Sequence, residues 1–92
     1  PMQTYQGNWE DEENNRIVAL AVDYTVDANE VSLRKVTPTA VTFVDPATRS
    51  PIRTIRVHTV AGASLLRKRW RAEGGVERLE HELSRSMLTN AG

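Results

Sequence analysis

The chain runs to 92 residues, 39% apolar and 26% charged, with no cysteine; that is material for one modest core, and it excludes disulfide staples, thiolate nucleophiles and finger-type zinc sites. Its formal charge of zero conceals a net of −6 over residues 1–30 (seven acids against Arg16), +8 over 31–71 (nine bases against Asp45) and −2 over 72–92 (four acids against two arginines), an asymmetry that bears on partners rather than on fold. No apolar run nears the roughly 20 residues that span a bilayer, and the amino-terminal stretch is acidic and polar where a secretory signal is basic and then hydrophobic, so the expectation is a cytoplasmic protein without a membrane partner, Met2 being the start and Pro1 extraneous.

Residues 1–15, PMQTYQGNWEDEENN, show little periodicity and end in an acidic, amide-rich run, which predicts a mobile acidic tail with Tyr5 and Trp9 able to dock on the body. Residues 16–92 then read as a single α+β domain. Arg16 to Val26 alternates with period two, placing Val18, Leu20, Val22, Tyr24 and Val26 on a core face and the smaller Ile17, Ala19 and Ala21 on the other. Turn residues Asp27 to Glu30 lead into a second strand, Val31 to Lys35, and complete a hairpin. Pro38 cannot donate to a central ladder and predicts a bend or strand end. A third strand, Ala40 to Val44, the turn-rich Asp45 to Pro51 and a fourth strand, Ile52 to Val60, make the second hairpin.

Beyond Val60 the period lengthens to about 3.6. ASLLRKRWRAE carries Leu66 and Trp70 four apart and stops at Gly74-Gly75; VERLEHELSRSML then spaces Val76, Leu79, Leu83 and Met87 on one stripe. On one continuous helix the two stripes would point roughly 115° apart, so the glycine pair predicts a break between two helices. A fifth strand over Ser64–Arg71 is the rival reading, disfavoured by the lack of β-branched residues. The predicted fold is therefore α+β: a four-stranded antiparallel sheet in two hairpins, followed by two C-terminal helices packed on one face.

Sites for chemistry are scarce. His58 and His81 fall on different elements and form no metal-ligand spacing; Gly62-Ala63-Ser64 lacks the second glycine of a nucleophile elbow; and Glu10 to Glu13 lie in the tail. No catalytic residue, metal or cofactor is expected. The remaining signal is basic: Arg34, Arg56 and His58 on the strand face opposite the core, Arg49 and Arg53 in and after the loop before the fourth strand, and Arg67, Lys68, Arg69 and Arg71 around the first helix. These nine are the candidate anion- or nucleic-acid-binding residues. The bland reading of the set is a surface paired with the chain's own acids or with a second copy. The expected function is a small non-enzymatic interaction or self-association module, partnered by itself as a homodimer or by another protein; the alternative is a nucleic-acid-binding domain using the basic central segment, though base-stacking platforms are thin with five aromatics in all.

Overall fold

The computed structural model describes the backbone of residues 1–91 and the side chains of residues 1–87. Strands β1 (Gln3–Asp11), β2 (Arg16–Asp27), β3 (Glu30–Val44) and β4 (Pro51–Arg56) form an antiparallel sheet in the order β1-β2-β3-β4, and helices α1 (Val60–Ala72) and α2 (Gly75–Ala91) follow. The α+β class, the four antiparallel strands and the two trailing helices are as the sequence pattern implies. Both helices pack on the same side of β3. The molecule measures 41 × 30 × 20 Å, its short dimension matching one sheet under one layer of helices about 10–12 Å across.

Residues 1–15 are the first correction, since they contain an edge strand and not a mobile tail. Within β1, Gly7, Trp9 and Asp11 are buried and Tyr5 is half-buried, while Thr4, Gln6, Asn8 and Glu10 are exposed. This is a period-two strand whose inward row holds a glycine and an aspartate, which conceals it from a hydrophobicity pattern. A single 3₁₀ turn, Glu12–Asn14, and Asn15 in the left-handed region at φ 51° then reverse the chain into β2. Asp11, fully buried, holds the corner by accepting from Arg16 Nε at 2.7 Å and from Asn14 Nδ2 at 3.0 and 3.1 Å.

The second correction joins two expected strands into one. β3 runs for 15 residues through Pro38. It pairs with β2 in three stretches of register: Ala19 lies opposite Ala40 but Leu20 opposite Pro38, and Asp23 opposite Lys35 but Tyr24 opposite Leu33. Thr39 and Arg34 are thus extra residues bulged out of the ladder. Each bulge shifts the side-chain phase by one, so Val31 and Leu33, then Val36 and Pro38, then Val41 and Phe43 all turn toward the helices. A proline without an N–H is admitted to this central strand because the neighbouring bulge already breaks the pairing.

The third correction concerns the passage into α1. β4 ends at Arg56 and not at Val60, because Thr59 takes an extended conformation and its Oγ1 accepts from Gly62 N at 2.9 Å as the helix cap. Ser64–Arg71 therefore lies wholly in α1, and the fifth-strand reading fails. The Gly-Gly break is present, with a different task for each residue. Gly74 terminates α1 in the left-handed region at φ 79°. Gly75 lies so close to Trp70 that a Cβ there would stand 2.3 Å from the indole Cε2 and Nε1. The two stripes consequently meet in one core of Trp9, Val18, Leu20, Val22, Val36, Val41, Trp70, Leu79 and Leu83.

Candidate functional site

Among the described residues no helix or strand packs on the opposite face of the sheet. Its middle is made of small residues, Ala19 opposite Ala40 and Ala21 opposite Thr37, beside the Thr42 and Thr54 hydroxyls 2.8 Å apart. Arg56, opposite Ala40, stands at the end of the edge strand β4, and Arg34 lies apart from it toward the other end of β3, on its bulge, with Nε donating to Thr25 Oγ1 at 3.1 Å.

The nine basic candidates do not form one surface. Arg49, in the β3–β4 loop at φ 62°, donates to Asn15 Oδ1 at 3.2 Å and ties that loop to the β1–β2 corner. In the same loop the Thr48 and Ala47 backbone N–H groups donate to Asp45 and hold its carboxyl below the ordinary 3.8. Arg67 is half-buried and donates to the Val36 carbonyl at 3.0 Å, clamping α1 to β3. Arg71 faces a small cleft beside Leu33, Arg34, Lys35 and Glu80. His58 is exposed in the connection between β4 and α1, with β3 between it and Asp23; two strand spacings set them roughly 10 Å apart at least. Among the described residues no group of histidine, aspartate and glutamate side chains has the arrangement of a metal site.

Arg56, Lys68 and Arg69 do converge, around a groove of about 550 Å³ between α1 and the β3–β4 end of the sheet. Its floor is apolar: Val41, Phe43, Ile55, Val57, Leu65 and Leu66. On α1 the stripe Gly62, Leu65, Leu66 and Arg69 faces it, at the spacing of three, four and seven that aligns residues on one helix face. At Gly62 a Cβ would stand 2.9 Å from the capping Thr59 Oγ1, closer than real Cβ atoms come, and in ordinary contact with Val57 Cγ1 at 3.9 Å. Leu65 is 70% exposed and Ile55 37%.

Charge on the rim is largely uncompensated. Arg16 is neutralised by Asp11, and Arg69 Nε lies 3.6 Å from the Glu73 carboxylate in a solvent-exposed pair. Among the described residues Arg53, Arg56 and Lys68 have no ion-pair partner. Of the exposed acids, Glu10, Glu12 and Glu13 sit at the far edge of the sheet, on β1 and the turn after it. The sheet thus has an acidic edge and a basic edge.

Family models, curated proteins and solved structures yield no match to this chain.

Sequence reasoning found the cations of this groove but not its floor. The strand pattern sets Phe43 and Ile55 toward the core, where the structure leaves them on the floor of the open groove, and it assigns Leu65 no face. One signal existed: Leu65 is an apolar residue off the Leu66/Trp70 stripe in a helix otherwise rich in arginine and lysine, the mark of a second, less covered face.

Proposed function

We propose that this chain is a non-enzymatic interaction module that docks an acidic protein segment in the groove between β4 and α1. The observation that carries the reading is the combination of an open apolar floor, led by Leu65 and Ile55, with the rim cations Arg56 and Lys68, which have no ion-pair partner among the described residues. An apolar floor supplies affinity by removing Leu65, Phe43 and Ile55 from water, and the cations select the sign of the partner and speed its approach. Among the described residues no helix is long and apolar enough to cross a membrane.

Protein is favoured over nucleic acid as the occupant. All five aromatic side chains are buried or half-buried, leaving no stacking platform for bases, and the arginines are divided between the groove, the loop and the open face. The test is a fluorescence polarisation titration of the whole chain with a labelled peptide of alternating leucine and glutamate, its leucine and lysine counterpart, and DNA and RNA oligonucleotides. The acidic peptide should bind, the basic one should not, and Leu65→Asp should weaken binding tenfold or more, since covering a leucine is worth about 1.5–3 kcal/mol and 1.4 kcal/mol is a factor of ten. Failure of the acidic peptide to bind, or binding indifferent to Leu65→Asp, would overturn the reading. Tight oligonucleotide binding that survives Leu65→Asp would replace it with the nucleic-acid alternative.

A further inference from the structure

The groove marks a place where the helix layer stops short of the sheet. α1 is held on β3 by the Arg67 bond to the Val36 carbonyl and begins beside Val57, and it leaves Ile55 and Phe43 open. α2 lies toward the other edge: a Cβ on Gly7 would reach within 3.9 Å of Leu79 Cδ1, and the Tyr5 hydroxyl donates to Glu82. The openings at the two edges differ in character: at β4 the groove has an apolar floor and a basic rim, while at β1 a cleft of about 460 Å³ beside Trp9 is lined by Glu10, Glu12 and Glu82 with Arg78. Both edges are unpaired strands, each a template for another strand.

We infer that the occupant of the groove is a second copy of this chain, entering head-to-tail by laying its β1 edge along β4; the inference rests on the groove being the docking surface. Three features single out this pairing. In an antiparallel sheet of four strands in sequential order, β1 and β4 run in opposite directions. A copy displaced along the sheet therefore meets β4 antiparallel, with its helices on the same face. That placement sets the acidic flank of the incoming copy, where Tyr5 of β1 is bonded to Glu82 of α2, beside the basic rim of the groove. The charges also match, because β1 and the following turn carry Glu10, Glu12 and Glu13 while β4 carries Arg53 and Arg56. A symmetric β4–β4 pairing fails on the same count, because it sets Arg53 against Arg56. The contact is heterologous, so it propagates or closes into a ring instead of stopping at a dimer.

The experiment uses two whole-chain variants, each with one edge blocked at exposed positions. Glu10→Lys with Glu12→Lys blocks the acidic edge, and Ile55→Lys with Leu65→Lys blocks the groove. Sedimentation velocity at low salt should show the wild type growing past dimer with concentration and each variant alone remaining monomeric. An equimolar mixture of the two should run at twice the monomer mass and grow no further, because only one native groove and one native β1 edge meet, while the other pair sets lysine against lysine. Circular dichroism melts establish that both variants fold. A wild type that stays monomeric at high concentration, a blocked variant that still assembles, or a mixture that stays monomeric would each overturn the inference. If the wild type stays monomeric yet binds the acidic peptide, the head-to-tail copy is excluded and the docking groove stands; if it does neither, both fall.

Discussion

Gly75→Ala is a demanding test of how the two helices share one core. The added methyl would be built 2.3 Å from the Trp70 Cε2 and Nε1 and 2.4 Å from Cδ2, below any distance real Cβ atoms adopt. Trp70 is 2% exposed within the cluster of Trp9, Leu79 and Leu83, so the indole cannot swing aside without displacing its neighbours. Overpacking of this kind costs about 1–3 kcal/mol. Removing glycine restricts the unfolded chain and returns roughly 0.4–1 kcal/mol, and the alanine gain in helix propensity is small at the first residue of α2. The net expectation is a loss of about 1–2 kcal/mol, read by urea denaturation followed by tryptophan fluorescence. For a domain of this size that corresponds to a fall of roughly 5–15 °C in Tm. Trp70→Phe in the same background removes the bicyclic atoms that clash, so the double variant should be less destabilised than the sum of the two single changes. A Gly75→Ala protein within about 0.5 kcal/mol of wild type, or strictly additive double-mutant energies, would refute the packing assigned to Trp70.

Two further outcomes follow from the β1 edge. Asp11→Ala strips the acceptor from Arg16 and Asn14 at a fully buried site; Arg16 retains some access to water, so the expected cost is about 2–3 kcal/mol, below that of a wholly buried pair, and urea unfolding with a loss under about 0.5 kcal/mol would contradict the corner assigned to Asp11. At alkaline pH the Tyr5 phenol, whose hydrogen bond to Glu82 and partial burial raise it above the ordinary 10.0, favours its protonated form in the folded state. Its contribution is therefore complete below pH 10 and is lost as the pH climbs through the folded value. The stability difference between wild type and Tyr5→Phe should hold level up to that point and shrink beyond it, and a difference that widens there would reverse the sign of the coupling.

The sheet was legible wherever its residues alternate without interruption, as in β2, and the two helices wherever their stripes repeat. β1 was hidden by its own inward row, in which Gly7 makes room for Tyr5 and Leu79 and Asp11 is used as a corner post; neither residue registers as core in a pattern of hydrophobicity. β3 divided into two because its bulges at Arg34 and Thr39 each reverse the phase, and a periodicity read within one window cannot follow a strand whose phase resets twice. The same residues look deliberate once both halves are joined, for the apolar positions 31, 33, 36, 38, 41 and 43 fall on one face only if two residues are skipped.

The groove was harder to foresee because it is a property of placement. Nothing in Leu65 or Ile55 distinguishes a residue covered by a neighbouring helix from one left beside it; that depends on how far across the sheet α1 lies. The structure fixes this through contacts remote from the groove: Gly75 pressed on Trp70, and the Arg67 guanidinium bonded to the Val36 carbonyl between the two β3 bulges. Arg67 thus changes from a candidate anion ligand into the clamp that sets α1 in position, and the opening over Phe43 and Ile55 follows from where that clamp holds the helix. The charge asymmetry acquires a spatial meaning in the same way. Sequential strand order carries the acidic first segment to one edge of the sheet and the arginines of β4 to the other, so a division along the chain becomes a division across the molecule.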